Sequence, residues 1–444
     1  MGRCAVSTQK QKRPFALRAL AAFAGTLAIL FVLLLAAYAL PGERVRQHVY
    51  DSARTIQNEG LYPEYLGFKL FQMDNYTDTL MLFEAASADE LPPLQAMMTN
   101  TAYNVDNFET LADDLAWYIE KDWSTGAQRT DAPALEPFSY ARYWHGYLIW
   151  LRPLLLLMPY TGVRIVQYIV LFALLAVVLV QLRRRCGLRA AVWFAVSQLA
   201  VSVWFVPHQV QYFTCFMIAY AGCAWVLAKP RRSDVLCLGL LVLGTATAFC
   251  DLLVTPIITL GLPLTCWLLE PQQRLRGGVP QCALAVGGSL CWGTGYALCW
   301  AGKWALAGAV TDNNVLADAL HQAEVRTTAD TWHGMELTWR NIFIFLYDTL
   351  NSRHLFWPAL AVLAVLIALF ILSIRSKTAL VRALPLALTT CMTPAWFVLL
   401  RTHSIQHGWF TWRALGLTVF AGLAFLYYAC DLRAARRRLQ KGSI

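Results

Sequence analysis

The chain has 444 residues, of which 58% are hydrophobic and only 14% are charged, and its formal net charge is +10. Soluble domains usually carry about 25% charged residues, and many apolar blocks of this chain approach the roughly 20 residues that a helix needs to cross a bilayer. These properties exclude a soluble globular protein. The basic clusters each adjoin an apolar block, which is typical of cytoplasmic loops and argues against nucleic-acid binding.

Ten apolar blocks predict ten membrane-spanning helices in one polytopic domain, an all-α integral membrane fold. The blocks lie near residues 16–40, 165–182, 190–205, 212–227, 235–250, 252–269, 283–306, 356–374, 384–400 and 414–428. Alternating crossings put every basic cluster on the cytoplasmic side, together with both termini. The apolar segment 144–160 would reverse this order if it crossed, so we interpret it as a juxtamembrane or re-entrant element on the outer face.

With this topology, a multi-pass protein of the cell membrane exposes three hydrophilic stretches outside the cell, 41–143, 307–355 and 401–413. All eight histidines and nearly all carboxylates fall on that face. The sequence shows no glycine-rich phosphate loop and no nucleotide-binding motif, which argues against a nucleotide-driven reaction. Any chemistry is therefore expected on the outer face.

The first outer loop contains Asp74 and Asp78, which are four residues apart and would share one face of a helix. Neighbouring carboxylates raise one pKa and can give a general base near neutral pH. The alternative is an ordinary helix start in which Asp74 is the N-cap and Asp78 is solvated, and the spacing alone favours this interpretation. Asn75-Tyr76-Thr77 also matches a glycosylation acceptor.

Three further candidates lie at the predicted outer ends of apolar blocks. His145 and Arg152 stand among aromatic residues, which either bind a sugar phosphate or anchor the chain at the membrane interface. His208 ends a predicted span, where histidine is often merely interfacial. Asp251 lies between two apolar blocks without charged neighbours, and a carboxylate at that depth is costly unless it is paired or used.

The last outer loop contains His403 and His407, four residues apart and flanked by Arg401 and Arg413. Such a set suits a metal ion or a phosphate group. A metal needs a third ligand and none is local, so the flanking arginines favour phosphate. The alternative is a capped interfacial turn.

These elements, in this order, resemble the GT-C superfamily of membrane glycosyltransferases, in particular those that use polyprenyl-phosphate mannose. Members have one span, a large outer loop with a catalytic acidic residue, and an aromatic, histidine-containing juxtamembrane stretch before a span that ends in a basic turn. The segment Tyr143-Trp144-His145-Gly146-Tyr147, Arg164 and the basic turn 183–189 are similar in layout. The chain departs from the family at Asn75, where a second acidic residue is common, and at Asp251, where many relatives are basic.

The resemblance implies transfer of a sugar from a polyprenyl-phosphate donor to a cell-surface glycan, lipid or protein acceptor on the extracytoplasmic face. Either Asp74 or Asp78 would be the catalytic base. The implied substrate-binding residues are His145, Arg152, His208, Asp251, His403, His407 and Arg413. No cofactor is expected, and a divalent metal is left open. The alternatives are a transporter or flippase of a lipid-linked glycan and a polymerase or ligase of surface polysaccharide.

Overall fold

The structure is a computed structural model that describes residues 14–88, 90–104, 136–274, 278–311, 314–328, 331–332, 335–336, 343–351 and 354–431. Its first helices are α1 (Phe15–Tyr38), α2 (Glu43–Glu59), α3 (Asn75–Ser87), α4 (Pro93–Thr99), α5 (Leu148–Leu155), α6 (Tyr160–Cys186), α7 (Leu188–Ala200), α8 (Val210–Ala228), α9 (Ser233–Cys250) and α10 (Ile257–Leu269). The later ones are α11 (Pro271–Arg274), α12 (Gly278–Val310), α13 (Val315–Thr328), α14 (Ile344–Asn351), α15 (Phe356–Ser373), α16 (Lys377–Leu399), α17 (Arg401–Gln406), α18 (Gly408–Thr411) and α19 (Leu415–Ala429). The described strands form two short antiparallel hairpins, Thr101–Asn104 with Glu136–Ser139 and Thr331–Trp332 with Met335–Glu336.

In the described part of the chain, eight helical stretches are long and apolar enough to cross a bilayer. They are α1, α6, α8, α9, α12, α15, α16 and the stretch Gly408–Ala429. This composition confirms the prediction of an all-α membrane protein. The predicted re-entrant segment contains only α5, whose eight residues cover about 12 Å and are too short to cross.

Two of the ten predicted spans are shorter than expected. Helices α7 and α10 have 13 residues each, about 20 Å, against a hydrocarbon core of about 30 Å. Helix α7 stops before Ser202, whose φ of 57° turns the chain into the 3-10 helix Val203–His208. The block predicted to start at residue 252 becomes helical only at Ile257, because Leu253 has a φ of 68°.

The bundle is held together by close contacts between helices that carry small residues. Helix α9 packs against α12 along most of its length. A Cβ atom on Gly244 would lie 2.1 Å from the main-chain oxygen of Trp292, and one on Gly295 would lie 2.2 Å from that of Leu241. Glycine is therefore required at both positions, as is common where membrane helices approach closely. Helix α10 lies at the centre, with all of its residues buried.

The amphipathic helix α2 begins the first large loop and lies against α3, α5 and α6. Val45, Val49, Ala53 and Ile56 recur every three or four residues and form its buried face. This face holds α3 against the start of α6. This packing fixes the position of α3 and therefore of the two candidate aspartates at its start.

The two ends of the bundle differ in chemistry. Helix α6 has 27 residues, about 40 Å, and carries Tyr160 and Arg164 at one end and Arg183–Arg185 at the other. We call the end with Tyr160 the polar end, since the loops with the candidate residues gather there. We call the other the basic end, where Arg185 pairs with Glu270 at 2.8 Å and Arg18 pairs with Asp234 at 2.9 Å.

Candidate active site

Asp74 is the N-cap of α3 and joins the first loop to the last. The main-chain N–H and the hydroxyl of Thr77 each donate to its carboxylate at 2.9 Å, and the Trp409 indole N–H donates at 3.3 Å. Burial raises the pKa of Asp74 above its ordinary value, and these hydrogen bonds offset only part of that effect. The capping role is confirmed, and the contact with Trp409 is an additional link that crosses 335 positions of sequence.

Asp78 is fully buried, so the alternative in which it is solvated is wrong. Its carboxylate accepts main-chain N–H groups of Val210 at 3.1 Å and Gln211 at 3.3 Å, and the Tyr160 hydroxyl also donates to it. These N–H groups belong to the first turn of α8, where the helix dipole favours a negative charge. Burial nevertheless raises the pKa of Asp78 to about 7.

His208 belongs to an ion network at the edge of the polar end. Arg164 binds both oxygens of Glu59, at 2.5 and 2.9 Å, and donates to the main-chain oxygen of His208 at 3.0 Å. The His208 ring lies 3.8 Å from Glu59 and 3.0 Å from the Tyr65 hydroxyl. Burial acts to raise the pKa of Glu59, but the neighbouring His208 ring and the hydrogen bonds from Arg164 outweigh it and lower the pKa to about 2.

Gln209 connects this ion network to Asp74. Its side-chain oxygen accepts the main-chain N–H of Asp74 at 3.2 Å, and its amide N–H donates to the Asn75 side chain at 2.8 Å. Asn75 in turn donates to Glu59 at 3.1 Å and to the Gly60 main chain at 2.7 Å. Asn75, the acceptor residue of the glycosylation motif, is fully buried and its amide is hydrogen-bonded, so its side chain is not accessible for glycosylation.

His403 and His407 lie on one face of the turn that follows α16, with ring centroids 4.7 Å apart. The Nε2–H of His403 donates to the main-chain oxygen of Leu253 at 2.9 Å. Within the described ranges, neither Nδ1 atom has a hydrogen-bond partner. Burial lowers both pKa values, that of His407 to about 3, and the charge of Arg326 adds to the effect. Both rings are therefore neutral. Because Nε2 of His403 carries its proton, its Nδ1 atom is an acceptor and suits a hydroxyl donor better than an isolated phosphate.

Asp251 lies in the turn between α9 and α10, two residues before Leu253, whose main-chain oxygen binds His403. One carboxylate oxygen accepts the main-chain N–H of Val254 at 3.0 Å, while the other has no partner in the part of the chain that is described. Burial raises the pKa of Asp251 to about 7, and hydrogen bonds from the Cys215 thiol and the turn limit the rise. A buried carboxylate with one unbound oxygen is a candidate for substrate contact.

Arg413 follows the segment that carries His403 and His407, and its side chain packs inside the bundle. Its guanidinium stacks over the Tyr212 ring, 4.5 Å from the ring centre, and donates to the main-chain oxygen of Trp409 at 2.8 Å. The side chain is almost completely buried. Arg413 therefore supports the same residue that binds Asp74.

His145 is held in a buried hydrogen-bond network with Glu84 and Tyr147. Its Nδ1 atom is 2.6 Å from the Glu84 carboxylate, to which the Tyr147 hydroxyl also donates. The N–H of Gly146 donates to the main-chain oxygen of Phe249 at 2.9 Å, and a Cβ atom at this position would lie 2.5 Å from that oxygen. This contact ties the juxtamembrane stretch to the turn that carries Asp251.

Arg152 is not in the cluster around Asp74. Its guanidinium donates to the main-chain oxygens of Ala37, Tyr38 and Leu40, each at 3.0 Å. These carbonyls end α1, and a cation there interacts favourably with the helix dipole. Arg152 therefore binds the free carbonyls at the C-terminus of α1 and stabilises that end of the helix.

An aromatic groove, missed in the sequence, opens beside this site. An aromatic ladder runs along α12 with a spacing of four residues, Trp292, Tyr296, Trp300 and Trp304, and its last three rings line the groove. Successive rings are 4.8, 5.0 and 5.9 Å apart. The groove has a volume of about 120 Å³ and is also lined by Arg142, Arg326 and Leu253. Leu253 thus borders both the groove and the His403 site, and the regular spacing of the ladder was the available sequence signal.

The structure therefore joins Asp74 and Arg413 through Trp409 of the last loop, and it joins His403 to Leu253, two residues after Asp251. Asp78 lies one turn further along α3 and is bound by α8 and Tyr160. The residues it describes hold no group of three or more His, Cys, Asp or Glu side chains arranged for a metal ion. Comparison with family models, with curated proteins and with solved structures found no match for this chain.

Proposed function

We propose that this protein is a membrane glycosyltransferase that moves a sugar from a polyprenyl-phosphate donor to an acceptor hydroxyl at the polar end. The observation that carries the proposal is the gathering of buried acidic and imidazole groups from separate loops. Asp74 meets Trp409 of the last loop, and His403 meets the turn that holds Asp251. Perturbed carboxylates assembled in this way are typical of sites for proton transfer.

Asp74 is the preferred base for the acceptor hydroxyl. Asp78 is fixed by main-chain N–H groups of α8 and by Tyr160, so its oxygens are held in place. The Asp74 carboxylate is held by Thr77 as well, but its contact with the Trp409 indole is longer, at 3.3 Å, and a substrate can replace it. Its raised pKa also strengthens it as a proton acceptor.

The reaction breaks the bond between the anomeric carbon of the sugar and the phosphate oxygen of the donor. The acceptor oxygen bonds to the same carbon and gives its proton to Asp74, while the electron pair leaves with the polyprenyl phosphate. Arg326 lines the aromatic groove and would stabilise that phosphate, beside Arg142, which is paired with Asp318 at 3.0 Å. The apolar ladder of α12 offers a surface for the isoprenoid chain.

A transporter is less well supported. The buried cations Arg164 and Lys303 are both engaged, Arg164 by Glu59 and Lys303 by the main-chain oxygens of Met97 and Met98. In the described spans they form part of the packing at the polar end. A polar route through a bundle needs charged or polar groups at successive depths.

The direct test is the variant Asp74→Asn in proteoliposomes with radiolabelled polyprenyl-phosphate mannose. Asparagine is also a good N-cap, so α3 should persist. We expect donor binding near the wild-type level and sugar release to water or acceptor reduced by about 10²–10⁴-fold. Asp51→Asn, at an exposed position of α2, is the matched control and should keep full activity. Undiminished transfer by Asp74→Asn and by the double variant with Asp78→Asn would refute the proposed base.

A further inference from the structure

The basic end contains a cavity that the proposed reaction does not use. It has a volume of about 320 Å³ and lies between α10, α12, α16 and α19. Arg274, Arg375 and Arg382 line it together with apolar residues such as Leu268 and Leu386. A second cavity, of about 560 Å³, shares Arg274 and Arg375 and adds Arg189.

The electrostatics of this region favour an anion. The described lining of both cavities contains four arginines and no acidic residue. The nearby acid Glu270 is already paired with Arg185 at 2.8 Å. Several arginines facing one cavity without counter-charges create a strong site for phosphate or carboxylate.

Two further groups line the same cavity. Ser376 is the N-cap of the 23-residue helix α16, whose first N–H groups favour a negative charge. Gln281 is almost completely buried, and its side-chain N–H₂ donates to Gln273 at 3.1 and 3.2 Å. The Gln281 side-chain oxygen has no partner in the described residues. A buried acceptor left open in an arginine-lined cavity fits a ligand hydroxyl beside the bound anion.

The surroundings of the cavity suit an amphiphilic ligand. Arg382 is exposed on α16, between the exposed apolar residues Val381 and Leu384. These apolar side chains continue the lipid-facing surface of the helix, while Leu268 and Leu386 form an apolar part of the wall. Basic pockets between membrane helices on the cytoplasmic side are typical sites for anionic headgroups.

We propose that the basic end binds the headgroup of an anionic phospholipid that carries a free hydroxyl. Arg274 and Arg382 hold the phosphate, and the Gln281 oxygen accepts the hydroxyl. The lipid bridges α12, α16 and α19 and thereby stabilises the half of the bundle opposite the candidate active site. This site is independent of sugar transfer.

The test measures binding of short-chain phosphatidylglycerol to the full-length protein in neutral detergent, by native mass spectrometry and thermal shift. Phosphatidylcholine and glycerol phosphate of matched concentration are the comparison ligands. Arg382→Gln removes one charged hydrogen-bond donor from an exposed position and should weaken phosphatidylglycerol binding by about tenfold or more. Arg183→Gln makes the same charge change at an exposed position outside the cavity and should bind like the wild type.

Arg274→Gln is a second variant and should weaken binding similarly. Equal binding of phosphatidylglycerol and phosphatidylcholine to the wild type would overturn the proposal. An equal loss in Arg183→Gln and Arg382→Gln would also overturn it, since that outcome indicates general charge attraction. Glycerol phosphate binding as tightly as the lipid would refute the lipid assignment in favour of a soluble phosphate.

Discussion

The buried carboxyl of Asp78 should make the stability of this protein depend on pH in a direction opposite to that of a salt-bridged acid. Burial raises its pKa from 3.8 to about 7 in the folded chain. Between these values the folded state binds a proton that the unfolded state has released. The free energy of unfolding contributed by Asp78 is therefore highest below pH 3.8, falls as the pH rises towards 7, and is constant above it.

The size of the effect follows from the slope of about 1.4 kcal/mol for each pH unit. Between pH 5 and pH 7, Asp78 should cost the wild type about 2 kcal/mol of stability, and by pH 8 the loss should approach about 3 kcal/mol. The variant Asp78→Asn cannot ionise, so it should lack this part of the pH dependence. Asp74 and Asp251 titrate in both proteins, and their contributions cancel in the difference.

The assay is denaturant unfolding of the purified protein in detergent at pH 5, 6, 7 and 8, followed by tryptophan fluorescence. The difference between wild type and Asp78→Asn should change by about 3 kcal/mol in favour of the variant as the pH rises. Asp51→Asn should give no such trend, because that side chain is exposed. A pH-independent difference for Asp78→Asn would refute the idea that burial controls this carboxyl.

Three further predictions concern the polar end. Arg164→Gln leaves Glu59 without its bidentate partner and should lower the free energy of unfolding by about 3–5 kcal/mol, measured by denaturant titration. Gly146→Ala places a Cβ atom 2.5 Å from the Phe249 oxygen and should destabilise by about 1–3 kcal/mol in the same assay, and unchanged stability would contradict that tight contact. Trp409→Phe keeps an aromatic ring but removes the indole N–H, which helps to lower the pKa of Asp74, so the pH profile of sugar transfer should move to higher pH while the melting temperature changes little; an unchanged profile would argue against a role for this contact.

Hydropathy predicted the long helices well because bilayer thickness sets a physical minimum for apolar length. It did not predict that the block from residue 252 to 256 is irregular. That segment is mostly apolar, and Asp251, Pro256 and the left-handed backbone of Leu253 distinguish it from a span. Hydropathy averages over a window, so the apolar neighbours of Asp251 and Pro256 outweighed these two signals of a helix boundary.

The candidate site was predicted as a set of residues but not as an arrangement. Local spacing was sufficient to identify Asp74 as an N-cap. The contact of Asp74 with Trp409 and the burial of Asp78 under α8 depend on tertiary packing between distant segments. Arg152 has the residue type of a phosphate ligand, and only the structure reveals that it binds three carbonyls at the end of α1 and just beyond it.

The side of the membrane on which the polar end lies decides most directly whether sugar transfer can take place on the outer face. Glu64→Cys places a thiol at an exposed position of the first loop, and Arg183→Cys places one at the exposed basic end. Treated in intact cells with a membrane-impermeant maleimide, Glu64→Cys should be labelled and Arg183→Cys should react only after permeabilisation, relative to the parent protein. Labelling of Arg183→Cys but not Glu64→Cys in intact cells would put the gathered carboxylates in the cytosol and contradict sugar transfer on the outer face.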